Sequence, residues 1–250
     1  MPELVYPPVI AAAKTMFRVL DLRITMEGVH HVPRAGGAVL AANHVSYLDF
    51  IFCGLGAQES KRLVRFMAKE SVFTHKVSGP LMRGMRHISV NRDAGTGSYN
   101  QAVDALRRGE VVGVFPEATI SRSFTVKSLK TGTVRMAKDA GVPVLPVALW
   151  GGQRLWTKGR PRTLTRRHVP ITILIGEPID PAAYQYAGKM NAELKARLVA
   201  LVDRAQREYP EQPSGPDDAW WLPAHLGGTA PTPEEADILD GKSPRPAPTA

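Results

Sequence analysis

His44 and Asp49 stand five residues apart in the run Asn43-His44-Val45-Ser46-Tyr47-Leu48-Asp49. An imidazole beside a carboxylate can take a proton from a hydroxyl. On one continuous helix, a step of five residues turns Asp49 about 140° away from His44, so the side chains would not meet. Ser46 offers a solution. As an N-cap, with Asp49 three residues later in a capping-box-like pattern, it starts a helix at Tyr47 and leaves His44 in the preceding loop. Asp49 in the first helical turn then accepts from one imidazole nitrogen and fixes the tautomer, while the other nitrogen faces a hydroxyl. The expectation is a dyad that activates an oxygen nucleophile. Backbone amides near the start of that helix are candidates to stabilise an oxyanion. Cys53, four residues past Asp49, reads as core rather than as a nucleophile.

Two further runs end in residues able to hold an anion or shape a pocket. Val114-Phe115-Pro116-Glu117-Ala118-Thr119 places a proline and an acid just past an apolar strand, where open α/β sheets bind ligands. Gly84 to Arg92 closes another apolar strand with a guanidinium, whose fork matches a phosphate. Each run also has a plainer reading, as a strand terminator and as a surface arginine. Between Lys61 and Arg92, eight bases (Lys61, Arg62, Arg65, Lys69, Lys76, Arg83, Arg86, Arg92) stand against Glu70 alone, interleaved with Phe66, Met67, Phe73, Leu81 and Met82. Such a mixture fits an anionic bilayer, at about 1 kcal/mol per base near the surface, or a solvated basic face.

These residues need a scaffold that gathers strand ends. Short apolar runs at 37–42, 63–68, 87–90, 111–115, 144–149 and 171–175 alternate with helical patterns after Ser46 and at 97–108, 131–140 and 189–209. Strands of four to seven residues separated by helices argue for an α/β sheet covered on both faces. No internal repeat of fixed period is present. Residues 6–27 combine Val9, Ile10, Met16, Phe17, Val19 and Leu20 with Lys14, Arg18 and Arg23, so one or two amphipathic helices are expected before the sheet. They either pack on the domain or lie in the headgroup region of a bilayer. Residues 210–250 hold seven acids, two bases and nine of the 21 prolines, and are expected to lie extended or partly disordered. Trp220-Trp221 inside them reads as docking on the body's own surface. The chain thus divides into an amphipathic segment (1–36), an α/β domain (37–209) and an acidic Pro-rich extended tail (210–250).

Taken in this order, the blocks resemble the PlsC-like glycerolipid acyltransferase family, which includes 1-acylglycerol-3-phosphate O-acyltransferases. Asn43-His44 to Asp49 resembles its N-H-x4-D block, and Gly84 to Arg92 its second block. Phe115-Pro116-Glu117-Ala118-Thr119 resembles F-P-E-G-T, Lys130-Thr131-Gly132 resembles K-x-G, and Val142 to Val147 the closing V-P-[IV]-x-P-[VI] block. The resemblance implies the family's α/β fold, a central mixed sheet flanked by helices, and transfer of an acyl group from a thioester to a hydroxyl. It implies His44 as general base on a glycerol hydroxyl with Asp49 orienting it, Arg92 on the acceptor's phosphate, and Glu117 and Thr119 shaping the same pocket. The chain departs from the family at two places. Ala118 replaces the usual Gly, and Ile120-Ser121 precede Arg122, so either Arg122 or Lys130 is the base that reaches the phosphate. The implied acceptor is 1-acylglycerol 3-phosphate, with glycerol 3-phosphate or another lysophospholipid as alternatives. The implied donor is acyl-CoA or acyl-carrier protein, with no cofactor and no metal.

Composition narrows the remaining classes. With 250 residues, a single α/β domain with appendages is expected. The net charge is +9, and because residues 210–250 carry −5, residues 1–209 carry +14. That charge attracts something anionic, either nucleic acid, an acidic lipid surface or phosphorylated small molecules. No helix-turn-helix, RNA-recognition or zinc-finger pattern is apparent, so nucleic acid is not the expected partner. A lone cysteine excludes an intramolecular disulfide and fits a reducing compartment. No apolar run reaches the about 18 residues of a membrane span, and no signal-peptide pattern opens the chain. A peripheral enzyme on the cytoplasmic face of the cell membrane is the expectation.

Overall fold

Every residue of Ala38–Ala42 is buried, with Val39 and Ala41 pointing into one apolar cluster and Ala38, Leu40 and Ala42 into another on the opposite side. An unbroken apolar run of this kind belongs to a strand covered on both faces. The computed structural model describes residues 3–91 and 96–241 and contains a seven-stranded sheet. Its strands are β1 (Arg23–Glu27), β2 (Ala38–Ala42), β3 (Val64–Lys69), β4 (Ile88–Val90), β5 (Val111–Val114), β6 (Val144–Trp150) and β7 (Pro170–Ile175). Their spatial order is β1-β7-β6-β2-β5-β3-β4. β2 runs parallel to β5 and β6, and β3 parallel to β4 and β5, so five carboxyl ends meet at one edge. β7 is antiparallel to β6 and carries β1 parallel to itself. The sheet is therefore mixed.

The helices are α1 (Tyr6–Val19), α2 (Asp49–Gln58), α3 (Glu70–Thr74), α4 (Ser78–Gly84), α5 (Gly97–Arg107), α6 (Gly132–Ala140), α7 (Ala187–Arg207) and α8 (Pro233–Leu239). One face of the sheet is closed by α1 and α2, whose Phe17, Phe52 and Ala57 pack with Leu40, Leu145 and Ile173. The other face is closed by α5, α6 and α7. Met190, Leu194, Leu198 and Val202 recur every four residues along α7 and form its buried stripe. Burying each such side chain contributes about 1.5–3 kcal/mol relative to exposure. Gly113 in β5 is needed for close packing, because a Cβ there would stand 2.4 Å from the Phe66 ring. That ring in turn stacks on Phe115, beside the candidate dyad.

Three elements differ from the sequence expectation. Residues 23–27, expected as part of the helical segment, form β1 at the sheet edge, and their alternating exposure is that of a strand with one solvated face. The helix expected from Tyr47 begins at Asp49. Residues 210–241, expected to be extended, contain short 3-10 turns and α8, where Thr232 and Glu235 close a capping box with Pro233 at the first helical position. Trp221 is fully buried, with the Tyr209 ring 5.4 Å away and the Arg154 guanidinium 4.5 Å above its own ring. Arg154 is ion-paired with Glu211, so the segment after α7 is fastened to the body by charge as well as by apolar contact.

Candidate active site

Where β2 ends, Asn43 ties the chain to β6. Its side-chain nitrogen donates to the Leu149 carbonyl at 3.0 Å and its oxygen accepts from the Leu149 amide at 2.7 Å. The next residue, His44, therefore leaves the sheet from a fixed point at the edge where the carboxyl ends meet. Its Nδ1 lies 3.0 Å from Asp49 Oδ2. The same carboxylate oxygen accepts from the Val45 and Ser46 amides, each at 2.7 Å. This is the acidic half of the expected capping box. Ser46 Oγ does not complete it, because it accepts from the Leu48 amide at 3.1 Å and lies within donating distance of the Gly152 and Trp156 carbonyls. The helix consequently starts two residues late, while the dyad forms as expected.

The imidazole is held on a second side by Phe115, whose ring stacks on it at 4.2 Å and 20°. Asp49 on Nδ1 and Phe115 under the ring together fix its plane, and Nε2 is left for an incoming hydroxyl. His44 is one-fifth exposed and Asp49 almost wholly buried. Burial pushes the Asp49 carboxyl above its ordinary range, opposed by the His44, Ser46 and Val45 donors. Its second oxygen, Oδ1, has no partner among the described residues. Cys53 is buried in the apolar layer under the dyad, and burial pushes its thiol far up, so it is an inert core residue.

Glu117 acts on the backbone. Its Oε1 accepts from the His44 amide and its Oε2 from the Lys127 amide, both at 2.8 Å, so one buried carboxylate joins the loop after β2 to the loop after β5. Burial pushes its carboxyl up to about 7, against the Lys127 and His44 amides that favour the charged form. The Ser121 amide donates to the His44 carbonyl at 2.8 Å and the Thr157 hydroxyl to the Val45 carbonyl at 2.7 Å. Ala118 keeps a left-handed backbone, φ 61°, without the glycine that makes this conformation easy. The amides of Val45, Ser46, Tyr47, Leu48 and Asp49 all have partners within the protein, so the expected oxyanion donors at this helix start are already committed.

The structure therefore gathers His44, Asp49 and Glu117. Thr119 is half-buried in the same loop as Glu117, and Lys130 is exposed at that loop's far end, its amide on the Pro116 carbonyl at 2.9 Å. Arg122 turns to Asp240 near the end of the described chain, at 2.9 Å. Arg92 lies outside the described residues. Sequence reasoning missed Lys127, whose amide Glu117 holds, Thr157, whose hydroxyl holds the Val45 carbonyl, and Lys158, whose Nζ lies 2.6 Å from Asp240 Oδ1. None of them sits in a spaced motif, and they are brought in only by loop closure. Among the described residues, no group of three or more His, Cys, Asp or Glu could hold a metal ion, and no helix is long and apolar enough to cross a membrane.

A family model described as acyltransferase matches residues 23–150. A 1-acyl-sn-glycerol-3-phosphate acyltransferase of Bacillus subtilis is 27% identical over 199 residues, spanning 77% of this chain and 90% of that protein. One from Neisseria gonorrhoeae is 33% identical over 203 residues, spanning 80% of this chain and 73% of that protein. Among solved structures, the 1-acyl-sn-glycerophosphate acyltransferase PlsC of Thermotoga maritima shares the fold. It aligns with a TM-score of 0.69 and 24% identity over 82% of this chain and 81% of that one.

Proposed function

The chain belongs to the acyltransferase family, and on that basis we propose that it moves a fatty acyl group from a thioester to the free hydroxyl of 1-acylglycerol 3-phosphate, giving phosphatidic acid. The observation that carries the chemistry is His44 Nδ1 at 3.0 Å from Asp49 Oδ2 at the carboxyl edge of the sheet. Nε2 takes the proton of the acceptor hydroxyl as its oxygen attacks the thioester carbonyl. Asp49 holds the tautomer and stabilises the imidazolium that forms. The tetrahedral intermediate collapses by breaking the carbon–sulfur bond, and the imidazolium returns its proton to the departing thiolate. No covalent acyl-enzyme is required, because the donor is already activated, as acyl-CoA or as acyl-carrier protein. Glu117 shapes the acceptor pocket through the two loops it joins and Thr119 lies in one of them, with Arg92, Arg122 and Lys130 as the candidate bases for the phosphate.

The acceptor carries one long chain and resides in a bilayer, so the enzyme works at an anionic membrane surface, on its cytoplasmic face. Support comes from the crossover between β3 and β4, where Val72, Val77 and Leu81 are exposed among Lys69, Lys76 and Arg83. Tyr47 and Phe50, close in sequence to the dyad, are also exposed. The test is acyl transfer from palmitoyl-CoA and from palmitoyl-carrier protein to glycerol 3-phosphate, 1-acylglycerol 3-phosphate and 2-acylglycerol 3-phosphate. Product formed chiefly on the 1-acyl acceptor is expected. Preference for glycerol 3-phosphate would keep the chemistry and reject the acceptor assigned here.

A further inference from the structure

Three cations from the loops that hold the dyad converge on one carboxylate. Asp240 Oδ1 lies 2.9 Å from Arg122 Nε and 2.6 Å from Lys158 Nζ, and its Oδ2 lies 3.1 Å from Lys127 Nζ. The Asp240 side chain is 4% exposed and the Lys127 side chain 10%. Burial alone would raise the Asp240 carboxyl, but hydrogen bonds from Lys158, Arg122 and Lys127 override it and hold the group far below the ordinary carboxylate range. Each cation is tied to the backbone around His44. Arg122 follows Ser121, whose amide donates to the His44 carbonyl. Lys127 shares Glu117 with the His44 amide, and Lys158 follows Thr157, whose hydroxyl holds the Val45 carbonyl. Gly159 lets the guanidinium come in close, since a Cβ there would stand 2.0 Å from an Arg122 nitrogen. The cluster is thus built into the loops that carry the dyad, whereas the carboxylate filling it comes from the end of α8.

Three cations hold the one Asp240 carboxylate, with Glu117 a second acid that Lys127 faces, and the three acceptor oxygens of a phosphate monoester match three donors better than one carboxylate does. Beside Asp240, Ile238 and Leu239 are 60% and 57% exposed, so in the last turn of α8 only Ala236 adds apolar burial that would hold it down. We propose that Arg122, Lys127 and Lys158 form a phosphate-monoester site in the loops that hold the dyad, and that Asp240 is an autoinhibitory plug carried on α8 that must leave before the site can fill. The source of the phosphate rests on the reading above, in which it is the acceptor's headgroup; a soluble phosphate monoester presents the same chemistry. Occupation by Asp240 reduces the apparent affinity by the fraction of molecules in which the plug is out.

The test uses the full chain and two readouts. Binding of inorganic phosphate is titrated calorimetrically for wild type, Asp240→Asn and Asp240→Glu, and the KM for 1-acylglycerol 3-phosphate is measured for the same three. Asp240→Asn should bind phosphate roughly tenfold or more tightly, the result of removing a competitor worth about 1.4 kcal/mol. Asp240→Glu, which keeps the charge, should stay near wild type, and adding Lys158→Met to Asp240→Asn should cancel the gain. A fall in KM of similar size, with kcat little changed, identifies the acceptor as the displacing group, whereas a gain in phosphate affinity with KM unmoved assigns the site to a soluble phosphate. Phosphate affinity unchanged or weakened in Asp240→Asn overturns the plug and leaves the residue a structural lock. The phosphate arm needs no turnover, so it remains decisive even if no acceptor is acylated and the enzymatic reading fails.

Discussion

Glu117 is the residue through which backbone order and charge meet. Its two oxygens take one amide from the His44 loop and one from the Lys127 loop, and its carboxyl is pushed up to about 7 by burial. A group whose folded pKa lies above its unfolded value binds its proton more tightly when folded, so the stability it supplies is lost as pH rises from the unfolded value toward 7. Asp49, shifted in the same direction, adds to the trend. Chemical denaturation of Glu117→Gln between pH 5 and pH 7 should show a shallower loss, by up to about 1.4 kcal/mol per pH unit. At pH 5, where the carboxyl holds its proton, the variant should be weaker by about 1–3 kcal/mol, because an amide oxygen can satisfy only one of the two donors, and the gap should narrow toward pH 7. Stability curves that run parallel to wild type would contradict a titrating Glu117. At this scale the sequence was informative where chemistry is local. The spacing of His44 and Asp49, with a break before the helix, is a statement about neighbours in the chain. That Glu117 would grip the His44 amide, and that Arg122 would turn to Asp240, depends on contacts across 73 and 118 residues, which no local pattern reports.

The loop after β5 holds Ala118 in the left-handed region at φ 61°, where a Cβ crowds the carbonyl and costs about 1–2 kcal/mol. Ala118→Gly, usually a destabilising change, should therefore raise stability by up to about 1 kcal/mol after the extra chain entropy of glycine is set against the relieved strain. Urea unfolding measures this, and a loss of stability would mean the loop does not bear that strain. The buried strands were readable for a simple reason: β2, β5 and β6 are covered on both faces and appear as unbroken apolar runs, and β7 is broken only by Thr172. β1 was not, because Arg23, Thr25 and Glu27 face solvent on an edge strand whose partner lies more than 140 residues away. α8 hid in proline-rich sequence, although Thr232-Pro233-Glu234-Glu235 carries a complete start signal. Composition described the segment's average and the cap decided its local structure.

At the scale of the molecule, a basic body is paired with an acidic segment that folds back on it. Trp221 enters the core and Asp240 reaches the dyad's loops, so the −5 of residues 210–250 is partly spent on the +14 of the remainder. The membrane contact proposed above rests on the exposed Val77 and Leu81 between Lys76 and Arg83. Replacing both Val77 and Leu81 by Asp should abolish most cosedimentation with vesicles containing phosphatidylglycerol, while activity on a short-chain, monomeric acceptor persists. Retained binding would place the membrane contact elsewhere. The central claim, that His44 is the base of an acyl transfer, is tested most directly by turnover of His44→Ala beside wild type, with 1-acylglycerol 3-phosphate and an acyl thioester. Activity should fall by about 10²–10⁴-fold while vesicle binding and thermal stability stay close to wild type. Turnover within a few-fold of wild type would contradict the account.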